Sequence, residues 1–193
     1  SWQGKEGPTR TRMITVWQSL AGSAWQHGFG KNLTLSPDGD CKGATVAVVV
    51  VGEAPYAEFF GDSWALPKPA DVDLVQKIKQ QHGLPVVLLV IAGRPVDIEA
   101  QAKVASAVVA AFVPGSEGGH GVADVLLGRV APTGKLSLDW PRSGHALVRT
   151  APPHTLLYRY GDGLAWALPG QVAPGALPSP APAAQPLGGG RAP

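Results

Sequence analysis

Residues 52–62, GEAPYAEFFGD, set three carboxylates, Glu53, Glu58 and Asp62, among three aromatic side chains, Tyr56, Phe59 and Phe60. A carboxyl group packed among aromatic rings is desolvated. Desolvation disfavours its charged form and lifts its pKa toward neutrality, where it can hand over a proton. The same residue types also suit an ordinary loop whose carboxylates cap turns, and taken by themselves they favour that plainer reading. Two other segments could offer backbone N–H groups to an anion: GRPVD at residues 93–97 and GSEGGHG at 115–121. Neither has the glycine spacing of a nucleotide-binding loop, and positive φ or close packing accounts for these glycines more simply. Arg94 is expected to pair with a carboxylate rather than with a ligand, and His120 to be a solvated loop residue. A nucleotide-binding reading rests on fold analogy alone.

The elements that must position these groups are read from hydrophobic period. Met13, Val16, Trp17 and Leu20 recur at helical spacing and predict an amphipathic helix over residues 9–20. Residues 22–43, rich in Gly, Ser, Asn and Asp, read mostly as loop. The run ATVAVVVV at 44–51, ended by Gly52, predicts a strand buried on both faces. A helix follows from Pro69, with Asp71 near its cap, Val75 and Ile78 inward, and His82-Gly83 at its end. PVVLLVIA at 85–92 predicts a second buried strand, residues 96–102 a short helix or turn, and 105–113 a third apolar run. A helix with Val122, Val125 and Leu126 on one side comes after the glycine-rich stretch, and residues 134–140 predict a last, less buried strand. Strand–helix–strand units with apolar strands imply a parallel sheet with helices on both faces, a three-layer α/β/α sandwich of flavodoxin-like general architecture. In such a sheet ligands bind beyond the carboxyl ends of the strands, which is where the three loops above must lie.

Composition narrows the function classes. The 193 residues carry 16 Lys+Arg against 14 Asp+Glu, a net charge of +2, which argues against a strongly basic nucleic-acid surface. One cysteine, Cys41, and five scattered histidines leave no disulfide framework and no metal or cofactor site to expect. The apolar runs reach only about ten residues, too few to span a bilayer, so no membrane partner is expected. The chain lacks an initiator Met and a signal-peptide pattern, and it opens in mid-motif, as a piece of a longer protein would. Seven of the 19 prolines fall in the last 26 residues, and 167–193 reads as a Pro/Gly-rich flexible tail with too few large apolar residues to fold. Asn32-Leu33-Thr34 fits a glycosylation acceptor, a pattern common by chance. Trp2 could stack its flat face on the C–H face of a pyranose ring. Trp17, Trp25, Trp64, Trp140 and Trp166 are expected in the core or at interfaces.

Seven stretches in register carry a family resemblance: SWQG (1–4), VAVVVVGEAPYAE followed by GD (46–62), PVV and AGRPV (85–96), VPGSEG (113–118), GVADVLLG (121–128), PTGKLSLDWPRS (132–143) and YRYGDGLAW (158–166). Together they resemble the second, α/β sandwich domain of β-glucosidases and exo-β-glucanases of glycoside hydrolase family 3. The resemblance covers residues 1 to about 166, with 1–8 as the end of an interdomain linker. It departs from the family pattern in an extra residue within GSEGGHG, in Phe59-Phe60 after the PYAE motif, and in Asp162 where tyrosine is usual.

The resemblance implies a retaining glycoside hydrolase acting on terminal β-D-glucosyl residues of a β-glucan or gluco-oligosaccharide. In such enzymes an N-terminal (β/α)8-type barrel supplies the aspartate nucleophile and the sandwich supplies the general acid/base. Glu58 matches the acid/base, Trp2 matches a tryptophan that stacks on the leaving-group sugar, and Glu53, Tyr56 and Asp62 match residues that shape the loop. This chain, lacking the barrel, is then expected to be inactive by itself. A bacterial periplasmic or secreted location goes with the resemblance. A noncatalytic carbohydrate-binding or interaction module is the alternative.

Overall fold

The computed structural model describes residues 13–26, 33–54, 61–147 and 151–165, with side chains to residue 22 in the first stretch. Three parallel strands form the central sheet in the order β1–β2–β3, where β1 is Ala47–Gly52, β2 is Val86–Ile91 and β3 is Ala107–Ala110. Helix α1 (Val16–Gln26) precedes the sheet. Helices α2 (Asp73–His82), α3 (Glu99–Ala102) and α4 (Gly118–Leu126) follow successive strands, giving the α/β sandwich the sequence predicts.

The strands obey their positions in the sheet. In the central β2, Leu88, Leu89 and Val90 are all buried, as a run covered on both faces requires. In β1 burial alternates: Ala47, Val49 and Val51 are inside, while Val48 and Val50 are exposed. The expectation of a strand buried on both faces is corrected here. Among the described strands β1 is the sheet edge, and α2 lays Val75 and Ile78 over one face only. Gly83, at φ +66°, ends α2 by donating its N–H to the Lys79 carbonyl at 3.1 Å, a conformation for which glycine is suited.

Helix α1 lies further along the chain than its apolar period predicts. Thr15 and Gln18 exchange caps: the Gln18 N–H donates to Thr15 Oγ1 at 3.1 Å and the Thr15 N–H to Gln18 Oε1 at 2.9 Å. This reciprocal box satisfies two otherwise orphaned donors and sets the start at Val16. Only 115–117 of the glycine-rich stretch lead into α4; residues 118–121 are already its first turn. A Cβ on Gly119 would stand 2.5 Å from the carbonyl oxygens of Ile14 and Thr15, so only glycine lets α4 approach the start of α1 this closely. His120 sits in this contact, its Nδ1 3.2 Å from Ser19 Oγ.

The predicted strand over 134–140 shrinks to β4, Trp140–Pro141, paired antiparallel with β5, Leu156–Tyr158. Leu136 exchanges main-chain bonds with the 161–162 turn, but at Tyr160 the N–H is taken by Asp139 Oδ1 at 2.7 Å, a side chain standing in for the ladder. Trp140 is buried, flanked by Phe112 and Tyr158, and donates its indole N–H to the Val96 carbonyl at 2.9 Å. Of the core or interface positions expected for Trp64, the core is ruled out: it is 75% exposed.

One carboxylate staples the α3 region to the end of β4. Glu99 accepts from Lys103 Nζ at 3.0 Å, from Arg142 Nη1 at 2.8 Å and from the Ser143 N–H at 3.0 Å. The Lys103 and Arg142 bonds, with the Ser143 N–H, hold its pKa down to about 2 from an ordinary 4.5. A depressed carboxylate stabilises the fold above its unfolded pKa and loses that contribution as pH falls through the folded one. Glu99→Gln should therefore cost about 1 kcal/mol near neutrality. The gap in melting temperature from wild type should narrow below about pH 4.5 and close near pH 2. A gap independent of pH would place the stabilisation elsewhere.

Candidate active site at the carboxyl ends of the strands

Because β1 and β2 run parallel with Gly52 opposite Ile91, the residues just beyond each strand emerge at the same end of the sheet. Glu53 follows β1 and is tied to β2 by its own N–H, which donates to the Ile91 carbonyl at 3.2 Å. Arg94 follows β2 by a three-residue turn. The two side chains meet there. Arg94 Nη2 lies 2.7 Å and Nε 3.1 Å from Glu53 Oε1, with Nε also 3.3 Å from Oε2. Their side chains are only 18% and 10% exposed, respectively, so each charge depends on the other for compensation. The expectation that Arg94 pairs with a carboxylate is met.

The same guanidinium also donates from Nη1 to the Gly61 carbonyl. Glu53 and Gly61 bracket the stretch that contains Glu58, so one side chain holds both ends of it. Beyond Gly61 the excursion is stitched down again. The Leu147 N–H donates to the Trp64 carbonyl at 2.7 Å, the Asp97 N–H to Pro67 at 2.8 Å, and the Ala70 N–H to Gly52 at 3.0 Å. The chain thus leaves the sheet at Gly52 and returns to that residue at Ala70. A Cβ on Gly52 would sit 3.0 Å from the Ile91 carbonyl oxygen, so glycine suits this exit. A hollow of about 520 Å³ opens beside the stitched segment against Arg94, Leu138, Asp139, Leu147 and Tyr160.

Of the residues singled out in the sequence, Glu53 stands at the strand end in this ion pair. Asp62 is exposed, and no described residue hydrogen-bonds its carboxylate. Glu58, Tyr56 and Trp2 lie outside the described residues. The Gly61 contact of Arg94 was not foreseen. Its signal in the sequence is that GRP closes β2 where the GD of the preceding loop must pass. Among the described residues no group of three His, Cys, Asp or Glu side chains could hold a metal ion, and no helix is long and apolar enough to cross a membrane.

The described residues thus form a parallel α/β sandwich in which Glu53 and Gly61 both bond Arg94 beside the strand carboxyl ends. The sequence model of the "Glycosyl hydrolase family 3 C-terminal domain" matches residues 4–177, and the chain belongs to that family. It is 38% identical over 130 residues to the "Lysosomal beta glucosidase" of Dictyostelium discoideum, covering 63% of this chain and 16% of that protein. It is 36% identical over 105 residues to the "Periplasmic beta-glucosidase" of Salmonella typhimurium, covering 53% and 14% respectively. Among solved structures, the exo-1,3/1,4-beta-glucanase of a Pseudoalteromonas species superposes with a TM-score of 0.67 at 35% identity, over 80% of this chain and 20% of that one. The chain therefore spans 14–20% of the length of these relatives.

Proposed function

We propose that this chain is the acid/base half of a retaining β-glucosidase or exo-β-glucanase that removes terminal β-D-glucosyl residues. The observation that carries the reading is the pinning of both ends of the Glu58 stretch at the strand carboxyl ends, in a member of a hydrolase family. Glu58 protonates the glycosidic oxygen as its bond to the anomeric carbon breaks, while a carboxylate from a (β/α)8-type barrel domain attacks that carbon. Glu58 then takes a proton from the water that releases the sugar. The two carboxyls of such a pair stand about 5–5.5 Å apart, so the site closes across two domains. Trp2 stacks on the departing sugar, and Glu53, Tyr56 and Asp62 shape the loop. Residues 1–166 make up the sandwich, with 1–8 as linker and 167–193 as an appended Pro/Gly-rich segment. The periplasmic Salmonella relative and the lysosomal Dictyostelium one support an exported or organellar setting, periplasmic or secreted in a bacterium.

A second reading, a noncatalytic carbohydrate-binding module, is favoured by Trp64 and Tyr160, exposed by 75% and 73% beside the strand-end segment. Exposed flat rings are what a sugar-binding surface uses. Calorimetric titration with gluco-oligosaccharides separates the two. The catalytic reading expects weak or no binding by the isolated chain and a change in any binding on Glu58→Gln. Tight binding that is indifferent to Glu58→Gln and lost in Trp64→Ala would make the chain a binding module.

A further inference from the structure

We infer that the outer edge of β1 is a dimerisation surface, on which β1 of a second copy of this chain pairs antiparallel about a two-fold axis through Val48. The inference is independent of the catalytic reading. Main-chain direction in β1 alternates. The Ala47 N–H donates to the Pro85 carbonyl at 3.0 Å and the Glu53 N–H to the Ile91 carbonyl at 3.2 Å, so odd-numbered residues turn both polar groups toward β2. The even-numbered residues turn theirs the other way. At Gly52 that outward carbonyl is taken by the Ala70 N–H at 3.0 Å, which closes the carboxyl end of the edge. At Val46, Val48 and Val50 no described residue bonds the outward N–H or carbonyl. The same three side chains are exposed, by 50%, 38% and 42%.

Water satisfies such an edge, but proteins ordinarily guard it with a charge, a proline or a bulge. Residues 44–51, ATVAVVVV, hold neither charge nor proline, and the register with β2 runs unbroken from Ala47 to Gly52. The chemistry of the edge defines what fills it: an extended segment that offers main-chain groups at every second residue and apolar side chains beside Val48 and Val50. β1 itself is such a segment. Turned about a two-fold axis, it sets Val48 opposite Val48 of the second copy and Val46 opposite its Val50, so every outward N–H meets an outward carbonyl. The two three-stranded sheets become one continuous sheet. Because the paired strands run antiparallel, the carboxyl ends that carry Glu53 and Arg94 lie at opposite ends of it.

The test compares the 193-residue chain with Val48→Lys and Val48→Glu by sedimentation equilibrium, after thermal melting has shown that each variant folds. Wild type should sediment as a dimer in equilibrium with monomer. Each variant sets like charges face to face across the axis and should weaken dimerisation roughly tenfold or more, with part of the loss regained at high salt. An equal mixture of the two variants should dimerise again, because the introduced charges are then opposite. If the variants do not fold, amide hydrogen exchange on the wild type carries the test. The outward N–H groups of Val48 and Val50 should gain protection as protein concentration rises, while those of Val49 and Val51, bonded to β2, are protected at every concentration.

A wild type that stays monomeric at the concentrations NMR uses overturns the proposal. So does a dimer that both charge variants leave intact, or one that their mixture fails to restore. Protection of Val48 and Val50 that does not change with concentration assigns the edge to another segment of the same chain, and overturns the second copy as its occupant.

Discussion

Glu58→Ala, in a polypeptide that joins this chain to a (β/α)8-type barrel domain as proposed, should lower kcat/KM for aryl β-glucosides with poor leaving groups by about 10²–10⁴-fold. The loss should shrink as the leaving group becomes more acidic. A phenol that departs readily needs no proton, so the first step with such a substrate is nearly spared. The second step still lacks its base, and the glycosyl-enzyme accumulates. Azide, which attacks without giving up a proton, should then restore turnover and divert product to the glycosyl azide. A uniform loss across leaving groups with no azide effect would move the acid/base role to another residue.

How much of this was legible in the sequence follows from which forces act locally. The β-branched runs that became β1 and β2 announced a parallel sheet, because a strand core of valine and leucine needs cover and little else. Val75, Ile78 and Gly83 likewise marked α2 and its end. The ion pair of Arg94 was readable too, since an arginine at a strand end beside a carboxylate-rich loop has an obvious counter-charge.

What was not readable depended on contacts between distant segments. The start of α1 was fixed by the Thr15–Gln18 box, which the apolar period does not see. Helix positions 118 and 119 hold glycine because Pro114, Ile14 and Thr15 leave no room for a Cβ. Residues 134–139 alternate like a strand, yet the Asp139 carboxylate takes the N–H of Tyr160 in place of a main-chain partner. Trp64, apolar enough for a core, stands exposed because its segment is held by main-chain bonds to 146 and 147. The reach of Arg94 to Gly61 likewise joins residues 33 positions apart, and only the placing of GRP and GD hints at it.

The second large effect concerns the division of the site itself. A retaining glycosidase needs two carboxyl groups on opposite sides of the anomeric carbon, and the resemblance assigns only the proton donor to this chain. An acid without its nucleophile cannot form the glycosyl-enzyme. The 193 residues alone should therefore leave an aryl β-glucoside unhydrolysed, and the same residues joined to the barrel should turn it over. The direct measurement is the release of the phenol by the purified chain, by the joined polypeptide and by the joined Glu58→Gln variant. The account predicts turnover in the joined wild type only. Hydrolysis by the isolated chain, abolished by Glu58→Gln, would contradict it.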